Sequence, residues 1–247
     1  MWRPDVIDLN EFYAGHLGQM AQHFLRRRVR EVWPDVRGRR LLGFGFATSL
    51  MRPFLDEAER VIAVMPAAQG VMHWPRNAPN LVALADEIEL PLPDNSIDLV
   101  LMVHCLETAE QVRPLLREVW RVLTPSGRLL AVVPNRRGLW ARSDVSPFGH
   151  GYPYSPPQLS RVLRETLFLP TPYQGALYMP PVRNRAVLRT ARIWERFGPR
   201  WWQAFSGVVM IEAGKQIYAA STERPRRPAR LRVPRLVPSR SARGPGG

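Results

Sequence analysis

Apolar residues in this chain come in short, nearly unbroken runs set between stretches of helical spacing. Runs at 41–46, 61–65, 81–85, 97–103 and 128–133 lack the polar alternation of a half-exposed strand, and predict strands buried on both faces. Phe12, His16, Met20 and Phe24 recur at helical intervals, predicting one or two helices over 9–32 that stop at Pro34. A helix is expected over 49–58. Another over 107–123 gathers Val112, Leu115, Leu116, Val119 and Val122 on one side. Gly70, Pro75 and Pro79 leave room in 66–79 only for a short helix and a loop. Further on, Ser155-Pro156-Pro157 suits a helix start over 155–167, and 183–197 reads as a basic amphipathic helix. Strands are expected at 173–179 and 207–218. The whole predicts an α/β domain with a seven-stranded, mostly parallel sheet and helices on both faces.

Composition adds an organisation to this pattern. The chain has 247 residues, 45% of them hydrophobic, enough for one large domain over 1–220. Within it, 135–205 is expected to form a substrate-side loop and helical cap. Residues 221–247 hold eight arginines against Glu223, half of the formal charge of +14, and predict a disordered basic tail. Such a tail could meet nucleic acid or an anionic surface. Lys215 is the lone lysine, and Cys105 the lone cysteine, which excludes an intrachain disulfide and a cysteine-based metal cluster. The first ten residues are polar and acidic, and no run approaches the length that crosses a bilayer, so a cytoplasmic protein without a transmembrane segment is expected. The aromatics Trp194, Phe197, Trp201, Trp202 and Phe205 lie among arginines. They are expected to pack in the core, with docking on an interface or a membrane as the other reading.

Candidate chemistry sits at the ends of the strands. Residues 40–49, R-L-L-G-F-G-F-A-T-S, run from a strand through a tight turn into a helix start, as in nucleotide-binding α/β domains. Residues 82–102, V-A-L-A-D-E-I-E-L-P-L-P-D-N-S-I-D-L-V-L-M, and 115–135, ending V-L-T-P-S-G-R-L-L-A-V-V-P-N, add three ordered elements. These are an acid closing the third strand, a Leu-Pro and Asp-x-Ser-x-Asp passage into the fourth, and a Pro-Ser-Gly turn into the fifth. In that turn Gly127 is expected to adopt a left-handed backbone. Taken together, residues 10–135 resemble the class I S-adenosylmethionine-dependent methyltransferases of the small-molecule branch, and 136–220 the variable cap and final strands of that Rossmann-like fold.

The resemblance implies a cofactor, S-adenosylmethionine, lying across the carboxyl ends of the strands. It places Gly43, Gly45 and Ala47 in the loop under the methionine end, Met65 at the ribose position, Asp86 and Glu87 at the adenine amino group, and His104 beside the reacting centre. Two family acids are replaced, by Gly43 and by Met65. His104 could act as a general base or serve structure alone. In the loop 135–155, Arg136, Trp140, His150 and Tyr152 combine charge and aromatic surface suited to a small-molecule substrate. No metal is implied. Two functions follow: methyl transfer to a small or medium-sized acceptor, or a non-catalytic relative serving as an interaction module.

Overall fold

A computed structural model describes residues 3–182 and 184–217; the basic segment 221–247 lies outside the described residues. Eight strands form one sheet: β1 (Arg40–Gly45), β2 (Arg60–Pro66), β3 (Val82–Ala85), β4 (Ile97–Val103), β5 (Leu123–Pro134), β6 (Phe168–Pro170), β7 (Gln174–Ala176) and β8 (Val208–Lys215). Their order is β3-β2-β1-β4-β5-β8-β6, with β7 beside β8. The first five are parallel, and β8 runs against β5, β6 and β7. The sheet reverses its winding at β1, where β4 lies on one side and β2 on the other, so a crevice opens beyond the carboxyl ends of β1 and β4. Predicted strand 173–179 shrinks to β7. Phe168–Pro170 supplies the other half of that edge, and Pro172 interrupts the two.

Strand side chains alternate between two cores. Leu41, Leu99, Leu101, Val103, Leu130, Val132 and Met210 face α2 (His16–Val32), which buries Leu17, Ala21, Phe24, Leu25 and Val29 against them. Leu42, Phe44, Val100, Met102, Leu129, Ala131 and Val133 face α4 (Val112–Val122) and α5 (Pro156–Glu165). In α4, Leu115, Leu116, Val119 and Val122 are wholly buried, each contributing about 1.5–3 kcal/mol of transfer free energy. Gly15 divides the first predicted helix into α1 (Val6–Ala14) and α2.

Three expectations change. The helix over 49–58 is only α3 (Thr48–Met51) and a 3-10 turn, Arg52–Phe54, because Pro53 brings no amide to extend the α ladder. The short helix expected within 66–79 does not form, and Leu84 on β3 is exposed. Pro125-Ser126-Gly127 is not a separate turn but a bulge within β5, where pairing jumps from Ile97–Leu123 to Leu99–Arg128. The φ of Gly127 lies outside the left-handed region; glycine suits the position because a Cβ would sit 2.9 Å from the Thr124 carbonyl oxygen.

α6 (Arg185–Arg189) and α7 (Ala191–Trp201) close the chain before β8. The aromatics of α7 and the following 3-10 turn do not enter the core. The helix turns Ala191, Glu195 and Gly198 inward and leaves its large apolar side chains outside.

Candidate functional site at the carboxyl ends of the strands

The turn after β1 is fixed by backbone contact with the end of β4. Gly45 has φ +75°, and a Cβ on it would lie 2.3 Å from the Val103 carbonyl oxygen. The Phe46 amide donates to that same oxygen at 2.9 Å. Gly43 and Ala47 play a different part. A Cβ on Gly43 would meet Met51 Sδ at 2.0 Å and Ala47 Cβ at 3.0 Å, so these small residues let α3 close onto β1. Both are buried, as is Met65.

His104 follows β4 with φ +54°, a left-handed backbone uncommon outside glycine. It is held there on three sides. Its carbonyl accepts from Gln69 Nε2 at 2.7 Å. Its Nε2 lies 2.8 Å from the Tyr13 hydroxyl, and its Nδ1 lies 3.2 Å from Glu107 Oε1. Burial, and next the charge of Glu107, push the Tyr13 phenol well above its ordinary range. Tyr13 is therefore protonated and donates to Nε2, which leaves the imidazole Nδ1–H to donate to Glu107; this tautomer is assigned from the network. Strained backbone of this kind concentrates at functional sites. Cys105, the next residue, is buried, and burial pushes its thiol up, so it is no nucleophile at neutral pH.

Above this network α1 fills the crevice. Val6, Leu9 and Tyr13 pack with Phe46 and Met65 in a small apolar cluster of their own, and Tyr13 stacks on Phe46 at 5.7 Å between ring centroids. α1 is anchored at its start, where the Val6 amide donates to the Gln69 carbonyl at 2.8 Å and Asp5 forms a capping box with Asp8. Phe148 closes the other side, its ring 4.5 Å from that of His104.

The remaining expected residues divide. Asp86 is exposed, and its carboxylate accepts from the Ile88 amide in a local turn. Glu87 accepts from the Glu110 amide at 3.0 Å and so caps the approach to α4. Trp140 is buried; its indole donates to the Met179 carbonyl at 2.7 Å, and it packs edge-on to Phe148. Arg136 and Tyr152 are exposed, and His150 is half-buried. The Tyr152 amide donates to the Glu107 carbonyl at 2.7 Å, which brings the 135–155 loop back to the end of β4. Gly45, Met65 and His104 thus lie buried near the carboxyl ends of β1, β2 and β4 beside α1 and the 135–155 loop, while Asp86 and Glu87 follow the end of β3.

Sequence reasoning named His104 but missed Tyr13, Gln69, Glu107 and Phe148 as its companions. Glu107 carried a usable signal, since it stands three residues after His104. Tyr13 carried none that separated it from the other apolar-face residues of its helix.

Residues 42–131 match the family described as a methyltransferase domain. A probable S-adenosylmethionine-dependent methyltransferase of Mycobacterium tuberculosis (strain H37Rv) is 32% identical over 130 residues, covering 51% of this chain and 47% of that protein. The chain thus spans about half the length of the curated relatives it matches. A SAM-dependent methyltransferase of Archaeoglobus fulgidus aligns over 78% of this chain and 94% of its own, with TM-score 0.58 and 20% identity. One from Thermotoga maritima aligns over 85% and 96%, with TM-score 0.58 and 16% identity. The [4+2]-cyclase SpnF also shares the fold, at TM-score 0.53 and 22% identity over 78% of this chain and 80% of that one. A shared fold therefore leaves the chemistry to the site.

Proposed function

We propose that the chain is a class I S-adenosylmethionine-dependent methyltransferase, a reading supported by the methyltransferase-domain match over 42–131 and the 32% identical relatives, and that it methylates a small or medium-sized acceptor at the strand ends around His104. The observation that carries this reading is the pair of orphaned acceptors there. Gln69 Oε1 and Glu107 Oε2 are buried without a hydrogen-bond partner, on residues that both bond to His104. Buried acceptors left in this way cost about 1–3 kcal/mol each and suit a ligand that brings donors and positive charge. S-adenosylmethionine carries both, in its ammonium and sulfonium groups, so the residues fit the cofactor at its methionine end.

Elsewhere the fit is thinner. Asp86 is exposed after β3, the position that the resemblance gives to the adenine amino group. Met65 offers the ribose no hydrogen bond. A bond to a charged group is worth about 1.5–3 kcal/mol, so its loss weakens binding roughly ten- to a hundredfold against a relative that keeps the acid. The bound cofactor supplies an electrophilic methyl group. The chain supplies orientation and exclusion of water under the 135–155 loop. When α1 withdraws, Tyr13 leaves Nε2 of His104, and that nitrogen becomes available to take a proton from the acceptor. Glu107 keeps the ring oriented through Nδ1.

Calorimetric titration of the purified full chain with S-adenosylmethionine and S-adenosylhomocysteine tests the reading. Saturable heat with a thermal shift is the expected result. No heat and no shift at millimolar ligand sinks it.

A further inference from the structure

We infer that α7 and the 3-10 turn after it, Gln203–Phe205, form an interfacial anchor that lays this protein on an anionic lipid surface. The helix is amphipathic in the wrong sense for a core helix. Its inward positions, Ala191, Glu195 and Gly198, are small or polar. Gly198 lies so close to the Tyr178 ring that a Cβ would be 2.2 Å from its Cγ. The outward positions carry the bulk: Ile193, Phe197, Trp201 and Phe205 are 59%, 47%, 70% and 60% exposed, with Trp194 and Trp202 beside them. A monomer rarely spends this much aromatic surface on water.

Charge selects the occupant. Arg189, Arg192, Arg196 and Arg200 are exposed around the aromatics. The helix's one acid, Glu195, points away from this face and accepts from the Tyr178 amide, so it neutralises none of that charge. Trp194, Phe197, Trp201 and Trp202 line a hollow of about 410 Å³ whose lining is wholly apolar. A hollow without donors or acceptors suits hydrocarbon rather than a peptide backbone. A second copy docked about a twofold axis would set arginine rims of one sign together. Aromatic side chains at headgroup depth, ringed by arginines, are the composition of a helix lying in a membrane interface. No described helix is long and apolar enough to cross a bilayer, so the contact is one of surface.

The test uses the full chain with vesicles of phosphatidylglycerol and phosphatidylcholine in equal parts. Point variants isolate α7 from the arginine-rich segment 221–247. The unmodified chain is expected to co-sediment with the vesicles, less so as salt rises, with tryptophan emission shifting to the blue. Trp201→Ser with Phe205→Ser removes apolar contact, and Arg192→Gln with Arg196→Gln and Arg200→Gln removes charge. Each set is expected to weaken binding roughly tenfold or more, while melting as the unmodified chain does, since these side chains are exposed. Absence of vesicle binding overturns the inference. So does binding that either set leaves unchanged, which assigns it to another part of the chain. Concentration-dependent dimers in the absence of lipid, dissolved by Trp201→Ser with Phe205→Ser, overturn it in favour of a second copy.

Discussion

Asp98 and His104 bracket the same strand, β4, and show what charge does at its two ends. At the start of the strand, the Asp98 carboxylate accepts from the Arg40 amide and from Arg40 Nε, both at 2.9 Å, and from the Thr124 hydroxyl at 3.2 Å. Three neighbouring strands are tied there, far from the crevice. Burial raises the Asp98 carboxyl, but the bonds from Arg40 together outweigh it and hold the group below its ordinary value. A depressed carboxyl contributes stability that is full above the unfolded pKa, near 3.9, and is lost as pH falls through the lower folded one. Asp98→Asn is therefore expected to melt below the unmodified chain at neutral pH, with the gap closing below about pH 4. Melting curves across that range check it; a gap that widens in acid contradicts the account. His104 at the other end has no such arginine. Its described partners are a phenol, an amide and a carboxylate with an oxygen to spare, the set on which the proposed function rests.

The strands were legible because burial on both faces writes an unbroken apolar run, and such runs have few other readings. Helices that pack by their bulk were legible too, as α4 shows. The misreadings fell where geometry beyond the pattern decides. Three proline-bearing stretches, Pro53, 66–79 and 125–127, yielded less helix or less turn than expected. The aromatic helix α7 was read inside out, since spacing reveals that a face is apolar but not which way it points. Its orientation rests on Gly198 against Tyr178. Glycine in a helix usually costs about 1 kcal/mol against alanine, so an exposed Gly→Ala change stabilises. Here the sign is expected to reverse. Gly198→Ala forces a Cβ into the Tyr178 ring and should lower stability by about 1–3 kcal/mol, the range for overpacked sites. Urea denaturation measures it, and a gain in stability would show that α7 is not seated on Tyr178. Of the candidate site, the strand ends and His104 could be proposed from the sequence, since those positions follow from topology. The partners came from α1 and from the loop 135–155, elements whose docking no local spacing records.

At the scale of the whole molecule the question is what α1 does when the cofactor arrives. Val6, Leu9 and Tyr13 occupy the space over Met65, the expected ribose position, and over Phe46, in the loop between Gly45 and Ala47. On the proposed site, docked α1 and bound cofactor exclude each other, and the measured affinity is expected to be the intrinsic one reduced by the fraction of molecules with α1 withdrawn. Weakening the docking should tighten binding while loosening the fold. Tyr13→Phe keeps the ring on Phe46 and removes only the hydroxyl that donates to His104. Losing one such bond costs about 1 kcal/mol. The same free energy, returned to the open state, raises apparent affinity for S-adenosylhomocysteine about fivefold. Stability by urea denaturation and affinity by calorimetry should therefore move in opposite directions in this one variant. If Tyr13 instead helps to form the site, both should fall together, and α1 is part of the binding surface rather than its competitor. Leu9→Ala sharpens the distinction, because Leu9 is wholly buried and lacks any polar group that could contact a ligand. A loss of about 2–5 kcal/mol in stability is expected there. Any gain in affinity that accompanies it can come only from freeing the crevice.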